Sequence, residues 1–136
     1  MIKIPKDIYD TMIKDAIKEY PLEICGYLGG IAFDKEIQIL KHFPISNIYK
    51  NETKFMMDSH EQFQAFKEAQ HLRLRLLVCY HSHPKTSAYP SEEDIRLAFD
   101  ENLNYMIISL KNRKKPIMKS YWIQKGKVKE QEWIAF

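Results

Sequence analysis

A segment with the composition of a buried strand, RLLVCYHSH at 75–83, lies between two segments of helical periodicity. Its Leu, Val and Tyr residues favour a strand. The segment before it, 60–73, carries apolar residues at helical spacing after a capping signal at Ser59. A second capping signal predicts another helix over 91–101. A strand placed between two helices predicts a layered fold in which helices cover a sheet.

The rest of the chain repeats these two patterns. Apolar residues at helical spacing predict a first helix over 6–20, which Pro21 ends, and on the second helix Phe63 and Phe66 are expected to face the core. Strand composition is found in five further segments, and a sixth is compatible with a short strand: 24–33, 36–44, 105–110, 117–124, 128–136 and, as the short one, 55–57. We therefore expect residues 1–136 to form a single α/β (α+β) domain with a mixed sheet flanked by helices.

Composition argues against several classes of protein. With 45% hydrophobic and 29% charged residues, no segment approaches the ~20 apolar residues of a membrane span. Asp7 and Asp10 interrupt the place where a secretory signal would be apolar, so we expect a cytoplasmic protein. Two cysteines are too few for a disulfide-stapled secreted domain. The formal net charge is +3, and the basic run KNRKK at 111–115 is typical of a solvated turn, which makes a nucleic-acid partner unlikely.

Two histidines one residue apart stand at the end of the 75–83 strand. Side chains at i and i+2 of a strand point to the same face, so His81 and His83 can present both imidazoles to one point. Asp94, in the first turn of the helix that follows, can add a carboxylate. Two nitrogens and one oxygen, with a fourth position free for water, are the ligands of a catalytic Zn²⁺ site rather than a closed structural one.

Amide hydrolysis at zinc also needs a base that takes the proton of the attacking water. Glu23, between the first helix and the first strand, is one candidate, but Glu92 and Glu93 lie nearer in sequence and spacing does not decide among them. Ser91 has two interpretations that do not exclude each other. Its side chain can cap the following helix, or its hydroxyl can donate a hydrogen bond to an oxyanion.

The segments HSHP and PSEED together give His-x-His-x7-Ser-x2-Asp, which resembles the signature of the JAMM (MPN-plus) metallopeptidase family. The segment PLEICGYLGG at 21–30 is similar to the glutamate segment of that family, and AYPSEED is similar to its small stand-alone prokaryotic members. The resemblance implies an MPN/JAMM-like domain with a curved sheet. It also implies a role for each residue of the site: His81, His83 and Asp94 as zinc ligands, Glu23 as general base and Ser91 as oxyanion donor.

This resemblance implies a zinc-dependent metallopeptidase or isopeptidase. Its substrate would be a ubiquitin-like or sulfur-carrier protein, cut after the C-terminal Gly-Gly, for example to remove a terminal cysteine. The alternative is a non-catalytic MPN-type protein-binding scaffold, against which the intact His-His-Asp set argues. A zinc deaminase is a third hypothesis, but the Cys-x-x-Cys pair that it needs is missing.

The other reactive residues have structural interpretations. Cys25 is expected to be a small buried thiol on a strand. Cys79 shares a face with the motif histidines if the strand is regular, which favours a supporting position beneath the metal over direct ligation, and Tyr80 then points to the opposite face. Three histidines lack partners at ligand spacing and are expected at the surface or at helix caps: His42, His60 and His71.

Overall fold

The computed structural model describes all residues, 1–136, as a curved eight-stranded sheet with three helices. The helices are α1 (Lys6–Glu19), α2 (Ser59–His71) and α3 (Glu92–Arg96). The strands are β1 (Ile2–Ile4), β2 (Cys25–Phe33), β3 (Glu36–Ile45), β4 (Arg75–His83), β5 (Asn104–Ser109), β6 (Ile117–Gln124), β7 (Lys127–Gln131) and β8 (Trp133–Ala135). None of the helices is long and apolar enough to cross a membrane.

The strands lie in the order β7-β6-β5-β4-β2-β3-β1-β8. Three neighbouring pairs are parallel, β4 with β5 and β1 with both β3 and β8, and the remaining pairs are antiparallel. β2 and β4 therefore occupy the middle of a mixed sheet. The α+β class that the sequence predicts, with helices flanking a mixed sheet, is confirmed.

The two edges of the sheet are joined by neighbouring residues of one segment. Gln131 pairs with Ser120 at one edge, and Trp133 pairs with Ile2 at the other. The prediction of one strand over 128–136 is therefore wrong in one respect, because this extended segment changes partner at Glu132 and forms both β7 and β8. The exchange brings the edges together, so the sheet is nearly closed.

Three local predictions also need correction. β1 was not predicted, because three residues are too few to show an alternating pattern, although Ile2 and Ile4 are fully buried. The N-cap of α2 is Asp58, whose carboxylate accepts from the Glu61 amide, and not Ser59. α3 ends at Arg96, well before residue 101, and Asp100 begins a separate turn by accepting from the Asn102 amide at 2.8 Å.

The helices cover opposite faces of the sheet. α1 buries Met12 and Ala16 against one face, and α2 packs on the other face through Ala65 and Ala69. The prediction that Phe63 and Phe66 face the core is wrong, since they are 61% and 54% exposed. The small alanines form the buried stripe of α2, and the two phenylalanines lie outside it.

The curvature of the sheet is concentrated where β2 crosses its two neighbours. The pairing register shifts at Leu28/Gly29 against β4 and at Gly29/Gly30 against β3. Such bulges bend a strand and increase its twist. Glycine is required at Gly30, because a Cβ atom there would stand 2.0 Å from the Gln38 carbonyl oxygen. The bend lies beside the start of β4, where Gly29 pairs with Leu76, whereas the histidines emerge at the other end of that strand, where His81 pairs with Cys25.

Candidate metal centre and active site

Three potential metal ligands meet at the end of β4. Alternation along the strand places His81 and His83 on one face, with exposed fractions of 4% and 6%. The loop after β4 returns the first turn of α3 to this point, which brings Asp94 beside them. The Nε2 atoms of the two histidines are 3.0 Å apart, and the Asp94 Oδ2 atom lies 3.1 Å from His81 and 3.0 Å from His83. The three side chains that the sequence predicted as ligands therefore converge.

The hydrogen bonds of His83 show that this convergence suits a cation. Its Nδ1 atom is 2.8 Å from the Ser87 carbonyl oxygen, which can only accept, so Nδ1 carries a proton. In the neutral ring the Nε2 lone pair then faces the carboxylate of Asp94. Two lone pairs at this distance repel each other unless a proton or a metal ion lies between them. The donor set of two imidazoles and one carboxylate fits zinc.

Asp94 is fixed in place by the start of its helix. Its carboxylate accepts from the Ser91 amide at 2.9 Å, and the Ser91 hydroxyl oxygen accepts from the Asp94 amide at 3.0 Å, which forms a capping box. Burial opposes ionisation of Asp94, but the hydrogen bonds with His81 and His83 outweigh it and lower the pKa of the carboxyl well below its usual range. The capping interpretation of Ser91 is confirmed, and the Asp94 carboxylate stays charged.

The two histidines differ in their electrostatics. Burial lowers the pKa of His81, and the Phe55 ring stacks on its imidazole with centroids 4.6 Å apart. Burial also acts on His83, but Asp94 and the Ser87 carbonyl favour the charged form and raise its pKa. His81 is thus held neutral, as a metal ligand must be, and His83 binds a proton more readily when no metal is there.

Glu23 lies in the connection between α1 and β2 and is 5% exposed. Burial raises the pKa of Glu23 to about 8, while the charge of His83 lowers it and that of Asp94 raises it further. The Glu23 carboxyl is therefore close enough to these two side chains to interact with their charges. Glu92 and Glu93, which the sequence left open, lie in the first turn of α3. A buried acid with a strongly shifted pKa is a candidate for proton transfer, and this favours Glu23.

Two residues that the sequence did not point to as functional fix the backbone at Glu23 and at its neighbour Ile24. Asn47 donates from Nδ2 to the Glu23 carbonyl at 3.1 Å and to the Lys54 carbonyl at 3.0 Å. Ser82 accepts at its hydroxyl from the Ile24 amide at 2.9 Å, and its own amide donates to the Ile24 carbonyl. A polar residue between two histidines was a visible signal for Ser82, whereas no sequence pattern pointed to Asn47.

The cysteines lie outside the cluster of potential ligands. Cys25 is buried, as expected, and its thiol donates to the Ile45 carbonyl at 3.4 Å. Cys79 packs with the apolar residues beneath α2. Tyr80 points to the opposite face as expected, but its hydroxyl lies 2.7 Å from the His42 ring, so the prediction of a surface or cap position for His42 is wrong.

A curved mixed sheet that presents two histidines and an aspartate beside a buried glutamate defines a class, the JAMM-type hydrolases. The chain belongs to the family of prokaryotic homologs of the JAB domain, which it matches over residues 5–124.

Similar proteins support the same class. The CysO-cysteine peptidase of Mycobacterium tuberculosis is 30% identical over 131 residues, which cover 96% of this chain and 88% of the relative. The desampylase of Pyrococcus furiosus is 30% identical over 92 residues, which cover 68% of this chain and 62% of the relative. The solution structure of a Desulfitobacterium hafniense protein is 39% identical and has a TM-score of 0.91, covering 100% of this chain and 93% of the other.

Proposed function

We propose that this chain is a zinc-dependent metallopeptidase that hydrolyses the amide bond after the C-terminal Gly-Gly of a sulfur-carrier or ubiquitin-like protein. The observation that carries the proposal is the convergence of His81, His83 and Asp94 at 3.0–3.1 Å beside the buried carboxyl of Glu23. This arrangement offers three ligands and one proton acceptor, which is the set that zinc-assisted amide hydrolysis needs.

His81, His83 and Asp94 would hold the metal. When bound, zinc polarises the scissile carbonyl and lowers the pKa of a water molecule from 15.7 to ~7. The hydrogen bond from His83 to the Ser87 carbonyl fixes the ring with Nε2 directed at the site, and the Ser91 amide fixes the Asp94 carboxylate. Such outer contacts orient metal ligands.

Glu23 acts as the general base. Without a metal its pKa of about 8 leaves it mostly protonated at neutral pH. A dication held by His81, His83 and Asp94 would favour the charged carboxylate. In its charged form Glu23 accepts a proton from the attacking water and delivers it to the departing amine nitrogen, so one carboxyl serves both steps.

Ser91 donates a hydrogen bond to the oxyanion that forms at the scissile carbonyl. Its oxygen already accepts from the Asp94 amide, so the hydroxyl proton is free to point elsewhere, and the side chain is exposed to an incoming substrate. A preorganised donor of this kind typically contributes about 10²–10³ in kcat. The capping and catalytic roles of Ser91 therefore use different parts of one hydroxyl group.

The substrate is proposed from the relatives. The CysO-cysteine peptidase and the desampylase are named for the bonds that they cleave at small proteins. Glu23 also lines a groove of about 700 Å³ between the end of α1 and the end of β3, but neither motif histidine lines it, nor does Asp94.

Intact-mass spectrometry tests this function. A sulfur-carrier protein ending in Gly-Gly-Cys is incubated with the zinc-loaded enzyme, with a Glu23→Gln variant and with Glu92→Gln as a matched control. We expect loss of the terminal cysteine with the wild-type enzyme and the control and none with Glu23→Gln. If no substrate is cleaved while metal is bound, the result favours the competing function, which is a non-catalytic protein-binding scaffold. If Glu23→Gln is fully active, Glu23 is not the base.

A further inference from the structure

A second groove of about 630 Å³ opens on the same face of the sheet as the metal ligands. Directly paired residues of neighbouring strands point to the same face. His81 pairs with Ile107 on β5, and Ile107 pairs with Lys119 on β6, so the side chain of Lys119 emerges on the His81 face. At ~4.8 Å per strand, the backbone of Lys119 lies about 10 Å from that of His81.

The groove is cationic. Three lysines line it, Lys111, Lys115 and Lys119, and the one carboxylate in its lining is that of Glu130, 3.7 Å from the Lys119 ammonium. No carboxylate forms an ion pair with Lys111 or Lys115. The basic run that we interpreted as a solvated turn is indeed exposed, but two of its lysines border this concave surface.

The wall between the groove and the metal site is a fixed piece of chain. Ser87, which lines the groove, provides the carbonyl to which His83 donates. The Ser109 hydroxyl donates to the Thr86 carbonyl, and the buried Tyr121 hydroxyl donates to the Ala88 carbonyl. The loop that positions one metal ligand thus also forms the edge of the cationic groove, and a ligand that spans both would cross this edge.

We propose that this lysine groove binds the free C-terminal carboxylate of the substrate chain, and this inference rests on the proposed peptidase function. An extended chain advances ~3.3 Å per residue, so a carboxylate one to three residues beyond the scissile bond reaches the groove. In a conjugate linked through a lysine side chain, the residue after the scissile bond carries no free carboxylate that could reach the groove. The groove therefore selects for trimming of one to three terminal residues over cleavage of isopeptide-linked conjugates.

Binding of two peptides tests this selection. Both have the same sequence ending in Gly-Gly-Cys and an N-terminal fluorophore, and they differ only in a free carboxylate or a terminal amide. The protein is the full chain carrying Glu23→Gln, so that neither peptide is cut during an anisotropy titration. We expect the acid to bind about tenfold more tightly than the amide, since the carboxylate can pair with more than one lysine of the groove.

Two triple variants, both made in the Glu23→Gln protein, show whether the groove lysines cause the preference for the acid. Lys111→Ala, Lys115→Ala and Lys119→Ala together should bring the ratio of the two affinities close to one. The matched control replaces three exposed lysines outside the groove, Lys14, Lys35 and Lys129, by alanine and should keep the ratio of the parent. The preference should also shrink as salt is added.

Three results would overturn the inference: no measurable binding of the acid, equal affinities of the parent for acid and amide, or an acid preference that survives loss of the three groove lysines. The last result would place the carboxylate at the metal instead. Because hydrolysis is not needed for this measurement, its outcome is separate from that of the mass assay. An enzyme that cuts the carrier but binds acid and amide equally would keep the proposed function and remove the groove from it.

Discussion

The Glu23 carboxyl group is buried, and burial disfavours its charged form. Burial raises the pKa of the group from 4.5 to about 8 in the metal-free protein. Below about pH 4.5 the group is protonated in both the folded and the unfolded state, so it adds nothing to the pH dependence of stability. Between the two values only the unfolded chain loses the proton, and the free energy of unfolding falls as pH rises. The full penalty is present above pH 8.

We therefore expect the Glu23→Gln variant to be more stable than the wild type at high pH when both are free of metal. At about pH 9 the gain in the free energy of unfolding should be on the order of 2 kcal/mol, after a discount for water near the carboxyl, and at about pH 4 it should be close to zero. Urea denaturation at both pH values measures this. Glu92→Gln, at an exposed position in α3, is the matched control. Equal effects of Glu23→Gln at both pH values would show that the carboxyl titrates normally.

At the scale of single residues, the sequence predicted which three side chains converge at the end of β4. His81 and His83 follow from strand alternation, and Asp94 follows from the position of the next helix start. The choice of Glu23 over Glu92 depended on family resemblance, because burial decides it and burial depends on packing between distant segments. Asn47 was out of reach for the same reason, since its contact with Glu23 joins residues 24 positions apart.

At the scale of elements, the connection between β3 and α2 is organised by one side chain. Each polar atom of the Asn47 side chain makes two hydrogen bonds. Nδ2 donates to the carbonyls of Glu23 and Lys54. Oδ1 accepts from the amides of Tyr49 and Met56. The same connection carries Phe55, which stacks on His81. Asn47 thus links the proposed base to the residue that covers a ligand.

Replacement of Asn47 by alanine should loosen this connection. The loss of four hydrogen bonds in a half-exposed loop should lower the free energy of unfolding by about 1–2 kcal/mol. It should also lower kcat by about tenfold because Glu23 is no longer held in place. Asn102→Ala is the control, since this exposed asparagine lies in the turn between α3 and β5. If Asn47→Ala loses stability but keeps the wild-type kcat, the loop does not position the base.

The elements themselves were predicted from periodicity with errors at their ends. Helix α3 ends at Arg96, and Asp100 then forms a separate turn in which its carboxylate accepts from the Asn102 amide. The strand 128–136 was seen as one element because its composition is continuous, and composition carries no information about which neighbour a strand pairs with. Pairing is decided by contacts between residues far apart in the sequence.

At the scale of the whole molecule, the sheet is held nearly closed by its last strand. The Trp133 indole donates to the Met118 carbonyl at 3.0 Å, and its ring contacts that of Tyr9 with centroids 5.4 Å apart. Trp133 also pairs with Ile2 on β1. One residue therefore connects strands β1 and β6 with helix α1. No local sequence pattern predicts this role of Trp133. The assignment of residues 1–136 to a single domain stays a prediction, which the closure of the sheet supports.

The Trp133→Ala variant should open this closure. We expect a loss of about 2–3 kcal/mol in the free energy of unfolding, because a large half-buried ring and one hydrogen bond are removed. Hydrogen exchange should show faster exchange at the amides of Ile2 and Ile37, which the β1 region protects. Trp122→Ala removes a similar ring from β6 and should leave these amides protected. Equal protection of β1 in both variants would contradict a closing role for Trp133.

The metal content of the purified protein shows whether His81, His83 and Asp94 form a metal centre. The protein is prepared without chelators as the wild type, as His83→Ala and as His60→Ala, a control at an exposed histidine of α2. Elemental analysis should find one zinc ion per chain in the wild type and in the control. It should find almost none in His83→Ala, since loss of a ligand costs at least about a hundredfold in affinity. Zinc-free wild-type protein that cannot be loaded, or equal zinc in all three proteins, would contradict a metal centre at His81, His83 and Asp94.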